Sequence, residues 1–292
     1  MTGLRQVIDA AEATLAEAGV GSPRTDAELL AAHAAGTDRG RLAVTEVNPK
    51  FFERYRDLVA ARAARVPLQH LTGTAAFGPV TVEVGPGVFI PRPETEAMLE
   101  WAVSQPLSEH PVIVDLCTGS GALALALWKH RPDARVVAVD DSADALSFAR
   151  RNTAGTSVEL VRADVTAPGL LGELDGAVDL IVANPPYIPD GAELEPEVAE
   201  HDPPHALFGG ADGMSVIGPI VELAARWLHA GGRCAIEHDD ATSAQTVAAF
   251  TRAGGFEDVV ARPDLTGRPR FVTATRGKLE PCSDNQRESS NE

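Results

Sequence analysis

From about residue 111 to residue 276, short apolar runs alternate with stretches of helical spacing, and this alternation limits the fold more than any other feature. Val112–Leu116, Arg135–Asp140, Val158–Val161, Val178–Ala183 and Arg233–Glu237 read as strands. Ala122–His130, Ala143–Asn152 and Val216–Leu228 read as helices. Strands buried on both faces are near-continuous apolar runs, and parallel strands need long, usually helical, crossovers. The expected class is therefore α/β, a doubly wound sheet covered by helices. Phe256–Val260 and Phe271–Thr275 add two strands pairing as a final hairpin.

Residues 1–65 have a different period and are expected to form a small helical domain. Leu4, Val7, Ile8, Ala11 and Leu15 recur at helical spacing, and Gly19 closes the segment. Thr25 and Glu28 have capping-box spacing ahead of Leu29 and Leu30. Asn48-Pro49 reads as an N-cap with proline at the first helical position. The aromatics that follow, Phe51, Phe52 and Tyr55, are expected on a packed face. Between 66 and 91 the period falls to two, with Val80, Val82 and Val84 alternating and glycines punctuating, which predicts a strand-rich hairpin connector. The α/β domain then occupies 92–276. Residues 277–292, rich in Ser, Glu, Asn and Gln, are expected to be a disordered tail.

The chain carries 25 basic and 42 acidic residues, a formal net charge of −17. A protein that holds a nucleic-acid backbone shows a basic face, and no Lys/Arg stripe exists here. The acidic surface is expected to serve solubility, or alternatively to attract a basic protein partner. No apolar run approaches the roughly 20 residues of a membrane span, and Met1-Thr2-Gly3-Leu4-Arg5 does not begin a signal peptide. Cys117, Cys234 and Cys282 are scattered, which suggests neither disulfides nor structural zinc. A cytoplasmic, monomeric protein is expected. His201, Asp202 and His205 lack a firm third ligand, so no metal is assigned.

Asp115-Leu116-Cys117-Thr118-Gly119-Ser120-Gly121 follows the first α/β strand and opens a helix. Glycines there let the backbone approach a ligand, and the helix-start amides favour an anionic group. Asp140 ends the next strand, placed to accept hydrogen bonds from ribose hydroxyls. Gly119-x-Gly121-x-x-Ala124 also satisfies a loose dinucleotide fingerprint, so NAD has to be weighed. Two acids favour S-adenosylmethionine. Asp115 is placed to meet a methionine amino group, and Asp164, followed by Val165, to meet the adenine amine. A plain turn carboxylate is the alternative for Asp164. Cys117 reads as a small buried residue rather than a nucleophile.

The chemistry rests on Asn184-Pro185-Pro186-Tyr187, directly after Val178–Ala183. Ligands of open α/β sheets bind at the carboxyl ends of strands. An amide nitrogen is a poor nucleophile because its lone pair is delocalised. The Asn184 side-chain oxygen and the Pro185 carbonyl can each accept one N–H of such a nitrogen, fixing it for attack. The prolines stiffen the backbone, and Tyr187 offers a flat face for stacking.

Taken together, the chain resembles the release-factor glutamine methyltransferases through essentially all of residues 1–276. Besides Asn184–Tyr187, the resemblance is carried by Pro67-Leu68-Gln69-His70, by Phe89-Ile90-Pro91-Arg92-Pro93-Glu94-Thr95-Glu96, and by Ala206-Leu207-Phe208-Gly209-Gly210 with Asp212-Gly213. It implies a seven-stranded, Rossmann-like methyltransferase sheet, with the last hairpin antiparallel, behind a helical domain that engages the release factor. It also implies methyl transfer from S-adenosylmethionine, leaving S-adenosylhomocysteine, to the side-chain nitrogen of the glutamine in a Gly-Gly-Gln loop. On this resemblance Gly119 and Gly121 line the cofactor, Asp140 holds the ribose, and Asp164 and Val165 lie by the adenine; Asp115, Thr118, Ser120 and Asn184 are further expected cofactor contacts. Asn184 and Pro185 grip the amide, with Pro186 and Tyr187 beside it, while Arg92, Thr95 and Glu96 line or cover the crevice. Pro93–Glu96 also reads as a helix start. His70, Asp202-Pro203 and Ile236–Asp240 depart from the family's usual residues.

Other readings stay open at this point. A ribosomal-protein glutamine methyltransferase would share the core, and an adenine-N6 methyltransferase would share the Asn184 motif but need a basic recognition region. A non-catalytic module would be expected to have lost Asn184 or the glycine loop.

Overall fold

The computed structural model describes residues 3–278; the expected disordered tail lies, from residue 279 on, outside the described residues. Helix α1, Leu4–Glu17, turns Ile8, Ala11 and Leu15 inward. Helix α2, Pro23–Ala35, starts at a proline whose preset φ suits the first helical position. Thr25 therefore lies inside the first turn, and the expected Thr25–Glu28 capping box does not form. Glu28 instead accepts from Arg24 at 2.5 Å. Helix α3, Pro49–Ala63, is capped as expected by Asn48, whose side chain accepts from the Phe51 amide at 3.1 Å. Phe51 stacks on Tyr55 at 5.5 Å, and the Tyr55 hydroxyl donates to the Ala27 carbonyl at 2.9 Å. These residues form a helical core of their own.

The stretch expected to be strand-rich opens instead with a short helix α4, Leu68–Thr72, begun by Pro67 and ended by Gly73 in the left-handed conformation. The hairpin follows as β1, Thr74–Phe77, and β2, Val80–Glu83, antiparallel with Phe77 opposite Val80. A 3-10 turn at Pro93–Thr95 leads into α5, Glu96–Val103, so the expected helix start is present.

The α/β region runs β3 Val112–Leu116, α6 Ala122–His130, β4 Arg135–Asp140, α7 Ala143–Asn152, β5 Glu159–Arg162 and β6 Val178–Ala183. It continues through α8 Pro196–Ala199, α9 Ile217–Trp227, β7 Leu228–Glu237, α10 Ser243–Ala253, β8 Phe256–Pro263 and β9 Pro269–Arg276. The seven strands are ordered β5-β4-β3-β6-β7-β9-β8. β3 through β7 are parallel, and β9 is antiparallel to both β7 and β8. Because successive side chains of a strand point to opposite faces, each central strand feeds two cores. Ile113, Leu180 and Val182 join the layer of α5, α6 and the β1–β2 hairpin. Val114, Ile181 and Ala183 join the layer of α9 and α10, with Trp227 and Phe250 fully buried there.

The helical region is tied to the sheet by charge. Arg62 is buried, with Nε 2.7 Å from Asp26 Oδ2 and Nη1 2.9 Å from Glu197 Oε1 on α8. Arg65 adds a second guanidinium to Glu197, Nε to Oε1 at 2.7 Å. Burial works against the charge on Glu197, but the hydrogen bonds from Arg65 and Arg62 hold its carboxyl down at about 2.

A folded pKa below the ordinary 4.5 means that the ionised clasp stabilises above that value and is lost as pH falls toward about 2. Glu197→Gln is expected to cost about 1–2 kcal/mol at neutral pH, discounted for partial solvent access. In urea titrations the gap from the unsubstituted chain should narrow steadily below about pH 4.5.

Candidate active site

From β3 the chain passes to β4 on one side, whereas β6 lies on the other, so a crevice opens at their carboxyl ends. It is a cavity of about 720 Å³. The glycine loop forms one wall. Three of its residues, Cys117, Gly119 and Gly121, take left-handed φ values of 59°, 57° and 79°. The Gly119 amide donates to Asp140 Oδ2 at 2.8 Å, and no atom lies within 4 Å of where a Cβ would stand. Gly121 has a packing role. It lies outside the cavity lining, and a Cβ there would meet Ala149 at 3.2 Å, so its smallness lets α6 approach α7.

Asp115, Thr118, Ser120 and Asp140 line the same wall. Asp115 Oδ2 accepts from the Thr118 hydroxyl at 2.5 Å and the Ala124 amide at 3.1 Å. Burial pushes its carboxyl up to about 7, against the pull of those bonds and with the help of nearby Asp140. Asp140 Oδ1 accepts from the Ser142 amide at 2.9 Å, and burial raises its pKa as well. The Ser120 hydroxyl is buried without a hydrogen-bond partner. Asp164 and Val165 also reach the cavity. Asp164 Oδ1 accepts from the amide and hydroxyl of Thr166, at 2.8 and 2.7 Å, which holds its carboxyl below the usual range. It is thus a turn carboxylate and a lining residue at once. Burial, reinforced by the carboxylates of Asp140 and Asp115, raises the Cys117 thiol well above its ordinary range, so it is no thiolate nucleophile.

Asn184, Pro185, Pro186 and Tyr187, after the neighbouring strand β6, line the cavity beside the glycine loop. Asn184 Nδ2 donates to Thr95 Oγ1 at 3.1 Å, and Thr95 Oγ1 donates to Glu237 Oε2 at 2.8 Å. The Tyr187 hydroxyl donates to the other oxygen of Glu237 at 2.9 Å. The Ala206–Gly213 segment, whose Ala206, Leu207 and Phe208 also line the cavity, braces this wall. Ile188 and Leu207 are joined by an amide-to-carbonyl bond of 2.8 Å, and Gly209 returns one of 2.9 Å to Ile188. A Cβ on Gly213 would stand 2.2 Å from the Tyr187 carbonyl oxygen, so only glycine fits there.

Arg92 and Thr95 line the cavity, as expected. Arg92 is ion-paired with the fully buried side chain of Asp202 and lies 5.0 Å over the Phe89 ring. Glu96 is not brought to the crevice: its Oε1 accepts from the Gly78 amide at 3.1 Å, fastening the hairpin turn. His201, Asp202 and His205 are drawn apart by separate partners, the His70 ring, Arg92 and Asp141. Glu237, Arg268 and Arg270 went unassigned from sequence. A carboxylate closing an apolar strand was a usable signal for Glu237, because that is where the sheet's ligands gather. Arg268 lies in the polar turn before β9 and Arg270 near the start of that strand, and neither gives such a signal.

Among the described residues no helix is long and apolar enough to cross a membrane. Residues 6–73 match a family model described as the PrmC N-terminal domain, and residues 86–201 match the methyltransferase small domain. A crystal structure of a methyltransferase from Pyrococcus furiosus aligns with TM-score 0.53 over 75% of this chain and 100% of its own, at 18% identity, which speaks for the fold alone. A release factor glutamine methyltransferase of Mycolicibacterium smegmatis is 72% identical over 94% of this chain and 99% of its own length. One of Mycobacterium tuberculosis is 66% identical over 94% and 91%, and one of Streptomyces coelicolor is 48% identical over 92% and 97%. With relatives this similar along nearly its whole length, the chain belongs to the release factor glutamine methyltransferase family.

Proposed function

We propose that the crevice holds S-adenosylmethionine against the glycine loop and that the chain methylates the side-chain nitrogen of the glutamine in a release factor's Gly-Gly-Gln loop. The observation that carries this reading is that Asn184 and Pro185 line one cavity with Gly119 and Asp140. The names of the relatives support a release factor as the substrate.

The residues fit the cofactor. An unpartnered buried hydroxyl at Ser120 and open space at Gly119 suit a ligand lying along the loop. Asp140 has a lone pair left on each oxygen for ribose hydroxyls, and Asp115 an oxygen for an ammonium group. When bound, the sulfonium supplies an electrophilic methyl group. Asn184 Oδ1 and the Pro185 carbonyl hold the two N–H groups of the glutamine amide, which fixes its nitrogen and favours a localised lone pair. As the N–CH₃ bond formed, the S–CH₃ bonding pair would stay on sulfur and the methylated nitrogen would lose one proton to solvent. With no basic stripe in the sequence, a protein rather than a nucleic acid is the proposed partner. The free enzyme is taken as monomeric and the compartment as cytoplasmic.

Incubation of the chain with S-adenosylmethionine and a Gly-Gly-Gln release factor should add one methyl mass to that glutamine. Asn184→Ala should lower kcat by about 10²–10³, the scale for losing one preorganised hydrogen-bonding group. Methyl found on a ribosomal protein instead would keep the chemistry and change the partner. Asp140→Ala should weaken S-adenosylmethionine binding by about 10–100-fold in calorimetry, since it removes hydrogen bonds to a charged group.

A further inference from the structure

We infer that Glu237 is a positioning residue that acts through the Thr95 hydroxyl to decide which end of the Asn184 amide faces the substrate. The inference rests on the function proposed above. Glu237 is 1% exposed and does not line the cavity; it lies behind Thr95 and Tyr187. Both of its oxygens are taken, Oε2 by Thr95 and Oε1 by Tyr187.

A threonine hydroxyl has one proton to give. With that proton committed to Glu237, Thr95 can only accept from its other neighbour. Asn184 must therefore turn its NH₂ toward Thr95, as the 3.1 Å bond shows, and leave Oδ1 for the crevice. The oxygen and nitrogen of an asparagine amide are nearly the same size, so packing cannot make this choice. The wrong orientation would set N–H against the N–H groups of a substrate amide. Charge on Glu237 is what keeps the order of donors fixed, because an ionised carboxylate can only accept.

The charged and titratable groups around Glu237 are few. Tyr187 reaches it from the loop after β6, Arg270 from β9, and Glu94 from the turn before α5. Asp240 and Asp264 share Arg270 with it. Burial pushes the carboxyl up to about 7, against the hydrogen bonds from Thr95 and Tyr187 and the attraction of Arg270, with Glu94 adding to the rise. Above that value Glu237 accepts from Thr95; below it, the protonated acid can donate to Thr95 and release the threonine proton toward Asn184.

Kinetics of variants and NMR of Asn184 test this. The wild-type kcat should rise as pH increases through about 7. Glu237→Gln should lower kcat at about pH 8 by about tenfold or more, with a smaller change in KM, and should abolish the rise. Thr95→Val should give a similar loss, and the double variant should lose no more than either single one. The side-chain NH₂ resonance of Asn184, followed by NMR without any substrate, should titrate in the wild type and be pH-independent in Glu237→Gln. A resonance unmoved by replacing Glu237 overturns the inference whether or not methyl is transferred. Loss of kcat in Tyr187→Phe but not in Thr95→Val overturns the route through Thr95. A wild-type chain that methylates no release factor, with the Asn184 resonance behaving as expected, would defeat the function and leave the positioning role standing.

Discussion

Burial of β3 and β6 on both faces is the constraint from which the rest follows. Val114, Leu180, Ile181, Val182 and Ala183 are all fully enclosed. Polar atoms cannot be left unpaired along such strands without a cost of about 1–3 kcal/mol each, so the chemistry is displaced to the strand ends. There the left-handed turn at Cys117–Gly121 and the proline-stiffened turn at Asn184–Tyr187 emerge side by side, at the end where adjacent strands connect in opposite directions. The depth of the sheet also explains the raised carboxyls of Asp115 and Glu237. Each sits at the end of a buried strand, where water no longer stabilises its charge.

Behind the reacting surface the same economy of protons recurs. Asp115 and Asp140 organise the glycine loop by accepting from its hydroxyl and amide groups. Glu237 organises the neighbouring Asn184–Tyr187 wall by accepting from Thr95 and Tyr187. Three buried carboxylates thus fix the direction of the hydrogen bonds around one cavity, and each can accept more bonds than the chain itself supplies.

Much of this was legible from the residues. The strand runs were visible because full burial removes polar interruptions, and Asn48-Pro49 announced its helix through a local bond that needs no tertiary context. The glycine loop and Asn184 motif could be placed because strand ends collect ligands in this architecture. The errors have a common cause. Thr25–Glu28 matched a capping pattern, but Pro23 claimed the helix start first. Glu96 shares a motif with Arg92 and Thr95, yet the turn from the 3-10 segment into α5 carries it toward Gly78. The φ of 79° at Gly121 fits the tight turn expected of this loop, while its contact with Ala149 depends on helix packing that local spacing does not reveal. Long-range partners chosen by the fold, such as Asp202 for Arg92 or Thr95 for Glu237, leave no trace in local spacing.

The clasp of Arg62 and Arg65 on Glu197 bears on how such proteins can be recombined. Its cations come from the end of α3 and the residues after it, and its anion from α8, some 130 positions further on (132 from Arg65). This chain's helical domain, moved onto another sheet, would bring two guanidiniums shaped for a carboxylate on α8 that it does not itself carry. One of them, Arg62, is buried, and a buried guanidinium that loses a carboxylate partner is costly. The two halves of this chain are therefore separable in sequence but not freely interchangeable. A chimera keeps its crevice rim in place only if residues 62, 65 and 197 travel together.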